Sequence, residues 1–477
     1  MEQSNLLNTR RINTIPFKWF LGLEGLLCGG FVVLNILGME KLAIVLVLAP
    51  LQLFIWALIV GNGLGVLCYF AALVPIGGAA FLHPSYQQFA FYPVVLLLLG
   101  LCYVAPWARC RVNFRTLSRI EKIPIVTLGI VIILSFINAY NKGWRGPTLL
   151  PTTVLMFELL LIGYLCAKME LAEREITKVL RIIIFSTVIC TLGVFALAWS
   201  RGVGSDFGSK SVLTPFGWLN LNAWGCIAAV GGIMALVFVL QGKSFLDRVT
   251  LGGVIFILLA MLVLTKSRGA WLGFGLALLY VLIVSRSFKL IVVLAVVLFV
   301  LSFWELARQL VFTRVSETTL FDPSLAGRFL LWHYAWKIGK INWLLGVGME
   351  NFRFVKHLYR FPGSTAMGLP FNAHNIYLEL FADLGFFGAI AFLALLAVAL
   401  VRSYATKFDD SLPQDVRTVG IALSAGIITL MVHGLVDAFT YNPGVLSLLI
   451  ILVGLSLAFG RLKKKYRTVS AAERSAR

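Results

Sequence analysis

The longest polar interval of the chain begins at Glu305, ends at Asn375 and reads ELARQLVFTRVSETTLFDPSLAGRFLLWHYAWKIGKINWLLGVGMENFRFVKHLYRFPGSTAMGLPFNAHN. Strongly apolar segments flank it on both sides. It holds eight of the 41 basic residues of the chain and three of its five histidines. Because loops longer than about 15 residues are usually functional in compact proteins, we predict that residues 305–375 form the active-site loop of a membrane enzyme.

The composition outside this loop is that of a polytopic membrane protein. Hydrophobic residues make up 60% of the chain, charged residues only 13%, and the mean hydropathy is +0.91. A water-soluble protein of this size could not bury so much apolar surface. No polar segment is long enough to form a second core, so we predict a single transmembrane domain over residues 1–477. The seven cysteines show no metal-binding or disulfide spacing.

The apolar segments predict an all-α fold with about fourteen transmembrane helices, since about 20 helical residues cross a bilayer core. The predicted spans are Phe17–Leu37, Leu42–Val60, Leu64–Phe81, Phe89–Val104, Ile123–Ile137, Thr152–Cys166, Ile182–Ala198, Ala223–Leu240, Thr250–Leu264, Ala270–Val284, Leu290–Trp304, Ile376–Val401, Val419–Leu435 and Val445–Phe459. The boundaries at Gly61-Asn62-Gly63 and around Ser267 are the weakest. Twelve spans are therefore the alternative.

The basic residues predict the orientation of the chain. With the N-terminus in the cytoplasm, the cytoplasmic segments hold 26 of the 41 Lys and Arg residues, and the long loop holds eight of the other 15. This is the distribution that the positive-inside rule describes. We therefore predict a membrane protein with both termini in the cytoplasm and the 305–375 loop on the outer side. Because the basic residues cluster between apolar segments, we assign the net charge of +20 to contacts with membrane lipids. The same clustering argues against binding of nucleic acid.

Two arginines on the predicted outer side are candidates for binding an anionic substrate. Arg268 lies in Lys266-Ser267-Arg268-Gly269-Ala270, between two apolar segments with hardly any loop, and charge beside the bilayer is costly. Ala270, Gly273 and Ala277 form a small-residue face that allows a neighbouring helix to approach closely. Arg328 opens a segment whose aromatic residues recur at helical spacing, which indicates an amphipathic helix at the outer interface. The alternatives are that Arg268 reaches to lipid headgroups and that Arg328 only docks its helix on the membrane.

His374 is the candidate general base. It precedes Asn375 and a new apolar span, so its ring lies near a helix N-terminus, where the neutral imidazole is favoured and anions are bound. The alternative is a His-Asn helix cap without chemistry. His433 and Asp437 lie four residues apart on one helix face. They would orient a substrate or the loop, or form a buried structural pair.

Other polar residues argue against cofactors. Acidic residues such as Glu317, Asp322 and Glu350 are scattered singly in the outer loop, whereas a metal-dependent sugar transferase would carry an acidic cluster for Mg²⁺ or Mn²⁺. The sequence has no nucleotide-binding fingerprint in a credible setting. We predict no metal and no cofactor. Glu24 and Glu158 lie inside predicted spans, and whether they are functional stays open.

A pocket with one base, several arginines and no metal fits a lipid-linked diphosphate. Arginines pair with phosphate oxygens, and the membrane supplies the lipid tail. A base would deprotonate an attacking hydroxyl while arginines stabilise the departing diphosphate. The residues therefore predict glycosyl transfer from a polyprenyl-diphosphate sugar.

Five short motifs, in order, also resemble the O-antigen ligase and O-antigen polymerase superfamily. They are Ser267-Arg268-Gly269-Ala270-Trp271-Leu272-Gly273, Arg328 with Trp332 and Ala335, Leu345-Gly346-Val347-Gly348 with Phe352, Ala373-His374-Asn375-Ile376-Tyr377-Leu378 with Gly385 and Gly388, and His433-Gly434-Leu435-Val436-Asp437 with Pro443. The resemblance is concentrated between about Leu264 and Pro443. The first 200 residues match the superfamily only as apolar spans.

The resemblance implies a metal-independent glycosyltransferase of the GT-C type in the bacterial inner membrane, acting on undecaprenyl-diphosphate glycans at the periplasmic face, so that the 305–375 loop would be periplasmic. Arg268 and Arg328 would bind the diphosphate, His374 would be the base, and Arg201 is a weaker candidate. The acceptor would be a hydroxyl of a lipid or of a second glycan, and ligase and polymerase are not distinguished. The rival prediction is a transporter of inorganic carbon, but a transporter needs ionisable residues at mid-membrane in paired halves.

Overall fold

The structure is a computed structural model that describes residues 63–76, 114–200, 221–241, 244–286, 323–359, 372–440 and 442–475. The described residues are helical apart from turns and one isolated bridge between Phe114 and Met169. The helices are α1 (Gly63–Leu73), α2 (Arg119–Asn141), α3 (Leu149–Lys168), α4 (Glu173–Ser200), α5 (Leu221–Gln241), α6 (Phe245–Leu264), α7 (Arg268–Ser285), α8 (Pro323–Ile341), α9 (Phe352–Val355), α10 (Ile376–Ser403), α11 (Gln414–His433) and α12 (Pro443–Ser475). Short 3₁₀ turns follow α1 and α9. The prediction of an all-α polytopic membrane protein is confirmed.

Nine of the described helices are long and apolar enough to cross a membrane, namely α2 to α7 and α10 to α12. Each coincides with a predicted span. The predicted span Leu64–Phe81 overlaps α1 and the turn after it. The spans Phe17–Leu37, Leu42–Val60, Phe89–Val104 and Leu290–Trp304 lie outside the described residues, so the total of fourteen stays a prediction.

The packing of the helices shows which helix ends lie on the same side of the bundle. Helix α5 packs against α6, α7 and α11, while α2 packs along α10 and α3 along α12. Successive helices are antiparallel, so the ends of α6, α11 and α2 lie on the same side as the starts of α7, α10 and α12. The turn after α11 confirms this, because the amide of Ile376 at the start of α10 donates to the carbonyl of Gly434 at 2.9 Å.

Helix α10 is broken at Gly385, which has φ +71° and ψ −170°. At this break the chain between α8 and α9 packs against the helix backbone. The amides of Val347 and Gly348 donate to the carbonyls of Ala382 and Asp383 at 3.0 and 2.9 Å, and the Phe386 amide donates to the Trp343 carbonyl at 2.7 Å. Backbone groups that an unbroken helix would pair internally are thus paired with the loop, as burial requires.

Helix α8 lies against α10 and has two apolar faces. Tyr334, Ala335 and Ile338 are fully buried, and the helix packs along α10. Phe329 and Trp336, which the aromatic spacing placed on one face, are exposed. An exposed aromatic face beside a packed one is what a helix at a membrane interface needs.

Candidate active site

The turn between α6 and α7 is the first part of the candidate site. Lys266 has a left-handed backbone with φ +51°, and the Ser267 hydroxyl accepts from the Ala270 amide to cap α7. This sharp turn confirms the predicted boundary at Ser267. It points Arg268, at the first position of α7, into the space between the helices.

The small face of α7 brings this turn close to α11. Gly269, Ala270, Gly273 and Ala277 are all buried. A Cβ on Gly273 would lie 2.7 Å from the Thr429 carbonyl oxygen, and one on Gly269 would lie 3.1 Å from His433 Nδ1. The prediction that small residues here allow a close helix approach is confirmed. The approach places Arg268 beside the His433–Asp437 turn.

A polar cavity of about 90 Å³ lies at this junction. Three basic side chains line it, those of Lys266, Arg268 and Arg328, together with Asp437 and the buried ring of His433. Asn222, Ser267, Gly269 and Val436 complete the lining. Arg328 therefore lies in the wall of the same cavity as Arg268, although 60 residues separate them in sequence. The cavity has an excess of basic side chains among its described lining residues.

His374 is held against Asp437, which the sequence had paired only with His433. His374 Nδ1 lies 3.1 Å from Asp437 Oδ1, and the His374 side chain is 28% exposed. His433 Nε2 lies 3.5 Å from Asp437 Oδ2, longer than a hydrogen bond. The two oxygens of one carboxylate thus face two different imidazoles. This links the base candidate to the wall of the cavity.

Asp437 is a buried but ionised carboxylate. Burial by itself raises its pKa, but the hydrogen bond with His374 and the favourable electrostatic interaction with His433 lower the pKa well below the ordinary value for Asp. Its Oδ1 also accepts from the Ala438 amide at 3.0 Å. An anion beside Nδ1 favours the tautomer with the proton on Nδ1, which leaves Nε2 free to accept a proton. The arrangement is that of an oriented general base.

The backbone on each side of His374 explains its placement. His374 has a left-handed conformation with φ +50°, uncommon for a residue other than glycine. Asn375, directly after it, is the N-cap of α10, and its side-chain oxygen accepts from the Tyr377 and Leu378 amides at 3.0 Å. The Asn375 amide group donates to the Leu435 carbonyl at 2.9 Å. Asn375 therefore uses its side chain within the fold, whereas the ring of His374 remains partly exposed.

His433 has an unusual environment for a buried polar ring. It is 1% exposed, and neither ring nitrogen has a hydrogen-bond partner among the described residues. The ring stacks on Phe439 at a centroid distance of 6.2 Å. An unsatisfied buried imidazole costs about 1–3 kcal/mol. His433 lines the cavity, so a polar group bound there would lie beside this ring.

The other candidates from the sequence are Arg201, Glu24 and Glu158. Arg201 and Glu24 are outside the described residues. Glu158 is buried midway along α3, and its Oε2 has no hydrogen-bond partner in the described part of the chain, but it does not line the cavity. Within the described segments no group of three or more His, Cys, Asp or Glu side chains could hold a metal ion together. Metal independence stays a prediction.

Two features of the site were missed from the sequence. Lys266 and Asn222 line the cavity, although neither was predicted from the sequence to bind the substrate. Glu350 is not isolated, because its Oε2 accepts from the Thr152 hydroxyl at 2.7 Å and its backbone amide donates to Asp383 Oδ2 at 2.7 Å. The pKa of Glu350 is raised by burial, which Arg353 opposes. The helical spacing of Glu379 and Asp383 in the first turns of α10 was the signal that could have found this cluster.

Comparisons with known proteins match this part of the chain. Residues 253–393 match the family model described as O-antigen ligase. A Rickettsia felis protein named "Putative polysaccharide ligase" is 22% identical over 218 residues, 44% of this chain and 53% of that protein. Proteins of the same description from Rickettsia conorii and Rickettsia prowazekii are 26% and 22% identical over 257 and 231 residues, 52% and 47% of this chain. The matches cover 60% and 54% of those two proteins.

The matched segment contains Arg268, Arg328 and His374, while the turn with His433 and Asp437 follows it. The matches span between about half and three fifths of the length of the three Rickettsia proteins. The matches confirm the resemblance that the motifs predict, which is to the O-antigen ligase superfamily.

Proposed function

We propose that this protein is a membrane glycosyltransferase that moves a glycan from an undecaprenyl-diphosphate donor to a hydroxyl of a lipid or glycan acceptor. The observation that carries the proposal is the cavity with three basic side chains whose wall includes the partner of His374. Phosphate oxygens favour such a cluster of cations. The His374–Asp437 pair is suited to take a proton from a hydroxyl.

Each residue has one role in the proposed reaction. Nε2 of His374 takes the proton of the acceptor hydroxyl, and the acceptor oxygen forms a bond to the anomeric carbon of the glycan. The bond from that carbon to the diphosphate oxygen breaks, so the diphosphate leaves with the bonding electrons. Arg268 and Arg328, aided by Lys266, stabilise the charge that develops on the diphosphate. Asp437 keeps His374 in the tautomer that accepts the proton.

His433 would contact the diphosphate or a sugar hydroxyl, because it lines the cavity and its ring nitrogens have no hydrogen-bond partner among the described residues. Asn375 holds the start of α10 beside the turn that carries His433. Arg201 remains a candidate for substrate binding on the basis of the sequence alone. We further propose that the site faces the periplasm, since the basic residues favour this orientation.

The location of the site favours transfer over transport of a small anion. The cavity lies where α7 begins and α11 ends, at one end of the bundle. A transporter would be expected to hold its substrate near the middle of the membrane, between two related halves.

The first test is binding of undecaprenyl diphosphate to the purified protein, with and without EDTA. A ligand at about 100 times its dissociation constant should raise the free energy of unfolding by about 2.7 kcal/mol. Arg268→Ala should lose this stabilisation, whereas Arg286→Ala, at the opposite end of α7, should keep it. No stabilisation of the wild type would contradict the proposal, and bicarbonate flux in liposomes would then test transport.

The second test is transfer in proteoliposomes that contain a lipid-linked glycan and an acceptor. His374→Ala should reduce the rate by about 100-fold or more, the usual contribution of general-base catalysis. His357→Ala is the matched control, because His357 is an exposed histidine of the same loop. Equal rates for the two variants would exclude His374 as the base.

A further inference from the structure

Glu379 is a buried carboxylate that none of the proposed steps uses. It lies near the start of α10 and is 1% exposed. Its Oε2 accepts from the Ala373 amide at 2.7 Å, and its Oε1 accepts from the Thr440 hydroxyl at 2.9 Å. Both carboxylate oxygens are therefore satisfied by groups that come from outside α10.

The two donors belong to the two segments that form the His374–Asp437 pair. Ala373 directly precedes His374, the residue with a left-handed backbone. Thr440 lies three residues after Asp437, in the short connection between α11 and α12. Among the described residues Glu379 has no hydrogen bond to either partner of the pair, yet it holds the chain beside each of them. A change at Glu379 would release both segments at once.

We propose that Glu379 is the positioning residue of this site, and that it fixes the distance between His374 Nδ1 and Asp437 by holding Ala373 and Thr440. A left-handed residue persists only where surrounding contacts hold it, and the bond to the Ala373 amide is such a contact. The kinetic consequence rests on the proposed function. The effect on the His374 ring does not, because it can be observed without substrate.

Asp383 offers a matched control one turn further along α10. It is also fully buried, and its two oxygens accept from the Glu350 and Phe352 amides at 2.7 and 2.9 Å. It thus makes the same number of hydrogen bonds as Glu379, but it holds the chain around α9 rather than the His374–Asp437 pair. Asp383→Ala should affect folding without a specific effect on the ring of His374.

Three variants separate the geometry of Glu379 from its charge. Glu379→Gln keeps an oxygen that can accept from the Ala373 amide, and its amide group can donate to the Thr440 hydroxyl. Glu379→Ala removes both bonds, and Glu379→Asp is too short to reach both donors. We expect Glu379→Gln to behave like the wild type and the other two variants to be impaired.

The test combines the tautomer of His374 with the kinetics. In protein labelled with ¹⁵N-histidine and assigned by comparison with His374→Asn, the wild type and Glu379→Gln should show His374 protonated at Nδ1. Glu379→Ala and Glu379→Asp should show a mixture of tautomers, whereas Asp383→Ala should not. In proteoliposomes, Glu379→Ala should lower kcat by about 100-fold, the cost of a misplacement of about 1 Å, with little change in KM for the lipid-linked donor.

Two results would contradict a positioning role for Glu379. Unchanged His374 signals in folded Glu379→Ala, or the same mixture in Asp383→Ala, would overturn it. If Glu379→Ala does not fold, Glu379→Asp and Thr440→Val provide the same comparison, because each removes at least one of the two bonds. A change in the tautomer in a protein that transfers no glycan would support the positioning role while contradicting the proposed function.

Discussion

The close packing of the loop on the break in α10 makes Gly346 a glycine that is very sensitive to replacement by alanine. Gly346 has φ +66°, and an added Cβ would overlap the carbonyl group of Asp383. The neighbouring amides of Val347 and Gly348 donate to α10. Because the obstacle is backbone rather than a flexible side chain, the loop has to move away from the helix.

The loss of stability caused by Gly346→Ala follows from these contacts. A left-handed alanine costs about 1 kcal/mol. Loss of the two hydrogen bonds to α10 adds about 1 kcal/mol for each bond, so Gly346→Ala should lower the free energy of unfolding by about 3 kcal/mol. Gly143 has a similar φ of +73° but no atom within 4 Å of an added Cβ, so Gly143→Ala should cost only the backbone term of about 1 kcal/mol.

The assay is unfolding by SDS in mixed micelles, with both variants and the wild type measured together. Gly275→Ala is a third reference, since Gly275 lies within α7 with open space around it. Alanine is favoured over glycine by up to about 1 kcal/mol inside a helix, so this variant should be as stable as the wild type or more so. Equal destabilisation by Gly346→Ala and Gly143→Ala would refute the argument that the loop is in close contact with α10.

Three further predictions concern the site and its surroundings. Asp437→Asn should lower kcat by about 100-fold or more with a small change in KM, measured as glycan transfer in proteoliposomes; an unchanged kcat would contradict the role of Asp437. Gly269→Ala should weaken undecaprenyl diphosphate binding, since its Cβ would lie 2.5 Å from Val436 Cγ2 in the cavity wall; affinity equal to that of Gly275→Ala would contradict this. Burial lowers the pKa of Lys356 from 10.5 to about 8, with Glu379 opposing the shift. The unfolded chain therefore binds more protons between these values, so stability should rise from pH 8 to pH 10.5, and Lys356→Met should remove that rise.

Much of the fold could be predicted from hydropathy, because each transmembrane helix has to be apolar along most of its length. The sharp turn before Arg268 and the small face of α7 were also predicted, since both depend on neighbouring residues in sequence. Helix α8 was predicted as an amphipathic helix at the interface. Which of its faces packs against α10 could not be predicted, because both faces carry aromatic residues, such as Phe329 and Tyr334, and only the position of α10 decides between them.

The site was predicted less completely. The candidate residues Arg268, Arg328, His433 and Asp437 meet at one cavity, as their placement on one side of the membrane predicted. Helical spacing pointed to His433 as the partner of Asp437, but the shorter contact is with His374. Such contacts between distant segments depend on how α10 and α11 pack against each other. A single sequence does not reveal that packing.

The separation of the site along the chain has a consequence for biogenesis. His374 and Asp437 are 63 residues apart, and all of α10 and α11 lies between them. A chain that has been inserted only as far as α10 already holds Arg268, Arg328 and His374, but not the carboxylate that orients the imidazole. The proposed reaction therefore cannot begin until α11 has entered the membrane, so a half-inserted chain would not consume lipid-linked glycan.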